Sequence, residues 1–403
     1  MAPDTATLLD AAVDAAFERE QLPLLAALVE QSSCSREPED VEACFAILDR
    51  RAKELGLTIE TVPDARGEVA AHRVYATAAC TPTTLALALV GHLDTVFPRA
   101  MGLARFRREG DVARGAGVLD MKSGLSAMFA GPAALRAAVP ELASRLALRI
   151  VVVSDEEIGS PSSAALYARL APLTTGALVF EAGREADRIV TRRRGGGLYT
   201  IEARGHAAHA GNAYLEGTNA IVALALALPR VEALGDPARG TTLSIGLVEG
   251  GTAKNTVPER AVAHLDARYE TTDEVRRVEE GMRSIVADPF AGLGEAIAPA
   301  RLRRAQLVLS GGMTRPPMQP LAGTASLFER YASCATAVGL GAEEAPLQGG
   351  GSDANLLVHH GVPCLDGLGP YGRFFHETRE WCSLESLVRR TRALARFLAL
   401  ATP

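Results

Sequence analysis

The chain has 403 residues, a net charge of −6 and a hydrophobic content of 48%, values typical of a globular protein too long for one ordinary core. The negative charge, and a longest basic run of only Arg192–Arg194, argue against nucleic acid as a partner. The apolar runs are too short to span a bilayer, so we expect no membrane partner. The acidic N-terminus does not resemble a secretory signal, and six scattered cysteines without a Cys-x-x-Cys pair indicate a reduced, cytoplasmic protein.

The first half of the chain alternates predicted helices and strands. Apolar side chains at helical spacing predict an amphipathic helix over residues 38–55, with Pro38 in its first turn. Strands are predicted at residues 57–62, 73–78, 84–90, 146–153 and 176–180. This alternation is typical of an α/β domain, a mainly parallel sheet flanked by helices.

A different pattern begins near Arg194. Strands are predicted at residues 198–203, 241–248, 261–269 and 301–309, and helices at 217–234 and 272–287. Their βαββαβ order is that of a ferredoxin-like domain. The α/β pattern then resumes and closes with a helix that begins at Ser383. We therefore predict a catalytic domain made of residues 1–193 and 314–403, with an inserted lid or dimerisation domain over residues 194–313.

Acidic and histidine side chains follow three of the predicted strands. Ile150–Val153 is a continuous β-branched run, typical of a buried parallel strand, and it leads into Asp155–Glu157. His92 and Asp94 follow a second strand, and Glu181 follows a third. Ligands bind at this edge of open α/β sheets. Adjacent carboxylates there repel each other, which favours a metal cluster; a solvated turn at a helix start is the alternative interpretation of the acidic triplet.

Seven motifs occur in order along the chain. They are Gly91-His92-Leu93-Asp94-Thr95-Val96, Gly115-x-Gly-x-x-Asp120-Met121-Lys122, Asp155-Glu156-Glu157-x-Gly159-Ser160, Glu181, Gly205-x-x-x-His209-Ala-Gly211, Asn255-x-x-Pro258 and His376. Together they resemble the motif set of the M20 metallopeptidases, and within that clan the glutamate carboxypeptidase branch. The resemblance covers nearly everything from about residue 20 to the end. It implies a zinc-peptidase-like catalytic domain and an inserted lid.

The resemblance also implies two zinc ions per chain, with cobalt or manganese as substitutes. Position by position, His92 and Glu181 would hold one ion, and Glu157 and His376 the other. Asp120 would bridge the two ions. Imidazole and carboxylate groups are the ligands that zinc takes in hydrolytic sites.

Three further residues match catalytic positions of the family. Glu156 is left free of metal and would be the general base, taking a proton from a metal-bridging water and passing it to the leaving amine. Asp94 would orient the ring of His92. His209 resembles the lid histidine that, in dimeric relatives, reaches the partner's active site and stabilises an oxyanion.

Other residues resemble the family's substrate contacts. The positions matching those that bind the terminal carboxylate are Asn255, Arg268 and Arg315, and those matching a backbone loop of the same pocket are Gly350, Gly351 and Ser352. A fold-stabilising ion pair or turn is the alternative role for each of them.

These features predict a dizinc carboxypeptidase that hydrolyses the amide bond before a C-terminal amino acid of a small peptide or N-acyl amino acid. An N-acyl-amino-acid deacylase of the acetylornithine deacetylase type, or a dipeptidase, is the alternative within the same family. A non-catalytic binding paralogue is the alternative outside it. The inserted domain predicts a homodimer.

Overall fold

The computed structural model describes residues 3–402, which fold into two compact units. Within these residues the first unit comprises the chain up to Arg192, residues 320–348, and residues from Ser352 onward. The second comprises residues 193–319 and 349–351. The second unit contains the predicted insertion, residues 194–313, and extends beyond residue 313. It does so because Arg193 and Met318 exchange two backbone hydrogen bonds of 3.2 and 3.0 Å.

The helices are α1 (Pro3–Ala16), α2 (Leu22–Glu30), α3 (Pro38–Glu54), α4 (Ser123–Ala138), α5 (Pro140–Arg145), α6 (Ser163–Leu170), α7 (Ala220–Glu232), α8 (Thr272–Ala287), α9 (Thr324–Thr336), α10 (Asp353–His359) and α11 (Leu384–Ala401). The strands are β1 (Thr58–Val62), β2 (His72–Ala76), β3 (Ala86–His92), β4 (Arg107–Glu109), β5 (Val112–Arg114), β6 (Leu148–Val153), β7 (Thr174–Val179), β8 (Gly195–Arg204), β9 (Ala208–His209), β10 (Thr242–Gly250), β11 (Thr256–Val257), β12 (Arg260–Tyr269), β13 (Gln306–Arg315), β14 (Cys364–Leu365), β15 (Gly372–Arg373) and β16 (Trp381–Ser383). No helix among the described residues is long and apolar enough to cross a bilayer.

The first unit is built on a six-stranded mixed sheet in the order β1-β2-β6-β3-β7-β14. Strands β6, β3, β7 and β14 are parallel, whereas β1 and β2 add an antiparallel edge. Every residue of β3 and β6 is buried, as expected for strands covered on both faces. The predicted sheet is confirmed, with two antiparallel strands added to its parallel part.

Helix α4 lies close to the end of β7. A Cβ atom at Gly124 would lie 2.1 Å from the carbonyl oxygen of Phe180, so only glycine permits this approach. Because Asp120 precedes α4 and Glu181 follows Phe180, the contact brings two predicted metal ligands to the same place.

The second unit has the predicted βαββαβ order. Its main sheet is antiparallel in the order β10-β12-β8-β13, and α7 and α8 pack against its strands. The strand predicted at residues 301–309 begins too early, because Leu302–Arg304 form a short 3₁₀ turn before β13 starts at Gln306. A second, two-stranded pair of β9 and β11 was not predicted.

The sequence prediction also missed a small sheet of the first unit, in the order β15-β16-β5-β4. Its strands have only two or three residues each, too few for a periodic pattern to be recognised. Strand β5 leads into the loop that carries Asp120, and His376 lies between β15 and β16. This sheet therefore links two of the loops that form the candidate site.

Candidate metal centre

Three neighbouring parallel strands end at the candidate site. His92 is the last residue of β3, the acidic turn Asp155–Glu157 follows β6, and Glu181 follows β7. Strand β3 lies between β6 and β7 in the sheet. The predicted ligands therefore gather at the carboxyl edge of the sheet, where open α/β folds bind ligands.

Asp120 belongs to two groups of side chains that could each hold a metal ion. In the first group, His92 Nε2 lies 3.1 Å from Asp120 Oδ1 and 3.7 Å from Glu181 Oε1. In the second, His376 Nε2 lies 3.2 Å from Asp120 Oδ2 and 3.0 Å from Glu157 Oε2. The ligand atoms of each group lie within 4.8 Å of one another. The fold brings all five predicted ligands together, with one oxygen of Asp120 facing each group.

The electrostatics of the cluster favour protonated forms of its two histidines and two glutamates. Burial opposes the protonation of His92, but hydrogen bonds with neighbouring carboxylates, Asp120 first, raise its pKa well above the usual value. Asp120 and Glu157 raise the pKa of His376 to about 10. Burial raises the pKa of Glu157, and that of Glu181 well above its ordinary value. A divalent cation would displace these protons, because metal ligands must be deprotonated.

The donor set fits a pair of divalent metal ions. Each group offers one imidazole nitrogen and two carboxylates, which are ligand types of hydrolytic zinc sites. A shared carboxylate such as Asp120 suits ions ~3.5 to 4 Å apart. The cations would also offset the mutual repulsion of three carboxylates gathered at one sheet edge.

Asp94 holds two parts of the site at once. Its backbone oxygen lies 3.0 Å from His92 Nδ1, and its Oδ1 lies 3.4 Å from the same atom. Its buried carboxylate accepts hydrogen bonds from the N–H groups of Glu156 and Glu157, at 3.3 and 3.1 Å, and from the Ser35 hydroxyl at 2.6 Å. Asp94 thus orients the His92 ring and also fixes the turn that carries both glutamates.

Glu380 holds the loop that carries Asp120. Its carboxylate accepts hydrogen bonds from the backbone N–H groups of Gly117, Leu119 and Asp120, at 3.0, 2.7 and 2.9 Å. Burial raises the pKa of Glu380 to about 7. The sequence analysis missed this residue because no pattern distinguishes it from the exposed Glu377 nearby. A glutamate that binds only the backbone N–H groups of a distant loop has no recognisable signal in a single sequence.

Glu156 belongs to neither of the two groups, among the residues that the structure describes. After burial and the charge of Asp120, the charge of Glu156 contributes to the raised pKa of Glu181. Glu157 belongs to one of the groups and Glu156 to neither, so the two neighbouring glutamates differ in their surroundings.

His209 and Asn255 lie together in the second unit. The β9–β11 pairing brings their segments together, and the Ala210 N–H donates to the Asn255 carbonyl at 2.9 Å. His209 Nδ1 accepts hydrogen bonds from the N–H groups of Gly211 and Asn212, both at 3.1 Å. Because Nδ1 is the acceptor, neutral His209 carries its hydrogen on Nε2. The exposed ring thus presents a hydrogen-bond donor.

Arg268 and Arg315 lie on either side of Gly196 on adjacent strands, since each is its register partner. The guanidinium of Arg268 donates two hydrogen bonds of 2.8 Å to the carboxylate of Asp266. For Arg268 an ion pair, the alternative role, is therefore present. Arg315 packs against the backbone of Gly351, where a Cβ atom would lie 2.3 Å from Arg315 Cδ.

The predicted loop divides between the two units. Gly350 and Gly351 belong to the second unit, and the Gly350 carbonyl accepts a hydrogen bond of 3.1 Å from Arg193. Ser352 belongs to the first unit, is fully buried, and caps α10. Its hydroxyl donates to Asp366 at 2.6 Å. The structure therefore gives the Ser352 side chain a helix-capping role and leaves Gly350 and Gly351 with Arg315.

Comparisons with known proteins agree with this geometry. Residues 191–292 match the family model of the M20 peptidase dimerisation domain. The chain is 28% identical to carboxypeptidase G2 from Pseudomonas sp. strain RS-16 over 319 residues, which are 77% of this chain and 73% of that protein.

Solved structures share the fold over nearly the whole chain. Aminopeptidase PepT from Bacillus cereus superposes with a TM-score of 0.76 at 22% identity, covering 94% of this chain and 98% of its own. A dinuclear metal-binding M20 peptidase from Bacillus subtilis superposes with a TM-score of 0.68 at 16% identity, covering 96% and 99%. The motifs, the candidate site and these comparisons point the same way, and the chain resembles the metallohydrolases of the M20 peptidase family.

Proposed function

We propose that the protein is a dizinc carboxypeptidase that removes a C-terminal amino acid from small peptides, in the manner of a glutamate carboxypeptidase. The observation that carries the proposal is the pair of histidine and carboxylate groups joined by Asp120. In this proposal His92 and Glu181 would hold one ion, Glu157 and His376 would hold the other, and Asp120 would be a ligand shared by both groups. The similarity to carboxypeptidase G2 supports this direction of cleavage.

Glu156 performs the proton transfers in this mechanism. A bound pair of zinc ions would supply Lewis acidity and lower the pKa of water. Glu156, which precedes the ligand candidate Glu157 and lies outside both groups, takes the proton of the attacking water and returns it to the leaving amine nitrogen. Asp94 keeps Glu156 in position through the hydrogen bond to its backbone N–H.

His209 supplies a donor for the oxyanion that forms when water attacks the peptide carbonyl. Its Nε2–H is the available donor, because the N–H groups of Gly211 and Asn212 occupy Nδ1. Stabilising developing charge with a fixed donor is usually a large part of amide hydrolysis. Arg315, which packs against Gly351, receives the terminal carboxylate of the substrate, and Gly350, Gly351 and Asn255 contribute to the same recognition.

The six cysteines are all free in the described structure, which suits the reducing cytoplasm that the sequence predicts. We keep this location as part of the proposal, and fractionation of the source cells tests it.

The two adjacent glutamates provide the test of the mechanism. Glu156→Gln should keep about two zinc ions per chain and lose roughly 10²- to 10⁴-fold in kcat, the usual contribution of a general base. Glu157→Gln should lose zinc as well as activity, because it removes a charged ligand. Metal analysis and turnover of both variants, beside the native enzyme before and after chelation, measure this. Zinc loss in Glu156→Gln with zinc retained in Glu157→Gln would reverse the two roles.

Glu380 provides a test of how the Asp120 loop is held. In Glu380→Gln an NH₂ group replaces one of two oxygens that both accept backbone N–H groups. We expect zinc affinity to fall about 10- to 100-fold, as for other residues that support metal ligands. The matched control is Glu377→Gln, an exposed glutamate paired with Arg379, which should bind zinc normally. Competition with a chromogenic chelator measures both variants, and equal affinities would contradict the role of Glu380.

Arg315 provides the test of carboxylate recognition. Loss of a charge-assisted partner should cost ~2 to 5 kcal/mol, roughly 30- to several-thousand-fold in kcat/KM. Arg315→Ala should therefore impair hydrolysis of peptides with a free α-carboxylate while zinc content stays normal. Arg276→Ala, which removes an exposed arginine of α8, is the control. Amidation of the substrate should impair the native enzyme strongly and Arg315→Ala very little.

A peptide amide hydrolysed by the native enzyme as fast as the free acid would exclude the carboxypeptidase and favour an aminopeptidase. An N-acyl-amino-acid deacylase uses the same free carboxylate, so identification of the products from a panel of peptidyl and N-acyl amino acids separates these two activities.

We also propose that the second unit pairs with its copy in a homodimer through the edge strand β10. This strand lies at the end of its sheet, and its Leu247 and Val248 are half exposed. An unpaired edge with apolar side chains favours association with another chain. Val248→Lys should convert the dimer to a monomer, whereas Val308→Lys on β13, at the opposite edge, should not. Sedimentation measures this, and a monomeric native protein would contradict the proposal.

A further inference from the structure

Three arginines surround one small pocket on the first unit. The pocket has a volume of about 150 Å³, and the side chains that matter here are those of Arg105, Arg107, Arg114, Glu377 and Thr378. None of them is among the residues assigned to the metal centre or to carboxylate recognition above. The pocket nevertheless lies beside the centre, because its lining includes the residue directly after His376.

The three arginines occupy neighbouring positions around the pocket. Arg107 of β4 is the direct register partner of Arg114 of β5, and Arg105, two residues before Arg107, lines the same pocket. Like charges directly opposite each other on paired strands destabilise the pair. A cluster of this kind needs negative charge nearby to be tolerated.

Nearby arginines outside the pocket have carboxylate partners. Arg108, on the other face of β4, pairs with Glu18 at 2.8 Å, and Arg99 pairs with Asp40. Among the described residues, no carboxylate is paired with Arg105, Arg107 or Arg114.

The one carboxylate that lines the pocket is already engaged. Glu377 accepts a hydrogen bond of 2.6 Å from Arg379. Arg114 donates at 3.3 Å to the backbone carbonyl of Arg379, a neutral acceptor. The pocket therefore keeps an excess of positive charge from three guanidinium groups.

The wall of the pocket is fixed by close backbone packing. A Cβ atom at Gly115 would lie 2.8 Å from the carbonyl oxygen of Arg105, and the φ of Gly115 is +147°. The glycine therefore lets the Arg105 segment lie directly against the loop that leads to Asp120. The backbone that carries Arg105 is therefore held against this loop before any ligand binds.

We infer that this pocket binds an oxyanion, either a carboxylate or a phosphate. Guanidinium groups match both anions with paired N–H donors, and the volume is sufficient for either group with some of its water. The anion could come from two sources. One is an acidic side chain of a peptide substrate, on the N-terminal side of the scissile bond, and the other is a free anion. The second source is independent of the proposed function, whereas the first rests on it.

The first experiment measures binding of inorganic phosphate to the enzyme as isolated by isothermal titration calorimetry. The native protein and the control Arg108→Ala should bind phosphate at the pocket alike, and Arg105→Ala/Arg107→Ala should bind it at least about tenfold more weakly. Affinity should also fall as sodium chloride is raised, because salt screens exposed charges. The metal centre is common to all three proteins, so anion binding there contributes equally to each.

The second experiment identifies the source of the anion. Two peptide substrates are compared. They differ only in the residue on the N-terminal side of the scissile bond, which is glutamate in one and glutamine in the other. If the substrate supplies the anion, the double variant loses kcat/KM about tenfold or more for the glutamate peptide and keeps it for the glutamine peptide. If the double variant hydrolyses both peptides as the native enzyme does but no longer binds phosphate, the ligand is a free anion.

Equal phosphate affinity in the native protein and the double variant, together with unchanged peptide selectivity, would overturn the inference. Thermal unfolding and zinc content verify that the double variant is folded, and removing like charges should not lower its melting temperature. Arg114→Gln gives an independent variant on the other strand and should weaken phosphate in the same way. Failure of every protein to hydrolyse peptides would count against the proposed function while leaving the phosphate result valid.

Discussion

The central physical constraint in this protein is the gathering of carboxylates at the buried end of three parallel strands. Asp120, Glu157 and Glu181 lie within a few ångströms of two histidines, in surroundings that raise the pKa of both glutamates. Such a cluster is stable only with protons or cations between its members. Divalent ions fit the donor types and the shared position of Asp120 better than protons do.

Much of the surrounding fold serves to hold this cluster. Asp94 fixes the His92 ring and the acidic turn through hydrogen bonds on different atoms. Glu380 holds the Asp120 loop by three backbone N–H groups, and Gly124 lets α4 approach the end of β7. Except for the contact between Asp94 and His92, each of these contacts joins segments far apart in sequence. Errors in ligand position would weaken metal binding, which explains why so many buried polar groups support the centre.

The sequence alone predicted the parts of the fold with strong local patterns. The β-branched run Ile150–Val153 forms a fully buried strand, and the βαββαβ order was recognised from alternating strands and helices. The ligands were predicted because the ordered motifs resemble a known family. Their convergence in space, which no local pattern specifies, required the folded structure.

Other features had no local signal. Glu380 acts on loop backbone, and the short strands β4, β5, β15 and β16 are fixed by pairing with distant segments. Arg268 stays a predicted substrate contact, and the structure also pairs it with Asp266, two residues before it on the same strand. The arginine pocket likewise depends on register, because Arg107 and Arg114 become neighbours only when the hairpin forms.

The most direct test of the two-ion centre is X-ray diffraction at the zinc absorption edge from crystals of the enzyme as isolated. We expect two anomalous peaks ~3.5 to 4 Å apart, one beside His92 and Glu181, the other beside His376 and Glu157, with Asp120 between them. A single peak, or zinc bound away from Asp120, would contradict the two-ion centre from which the proposed mechanism follows.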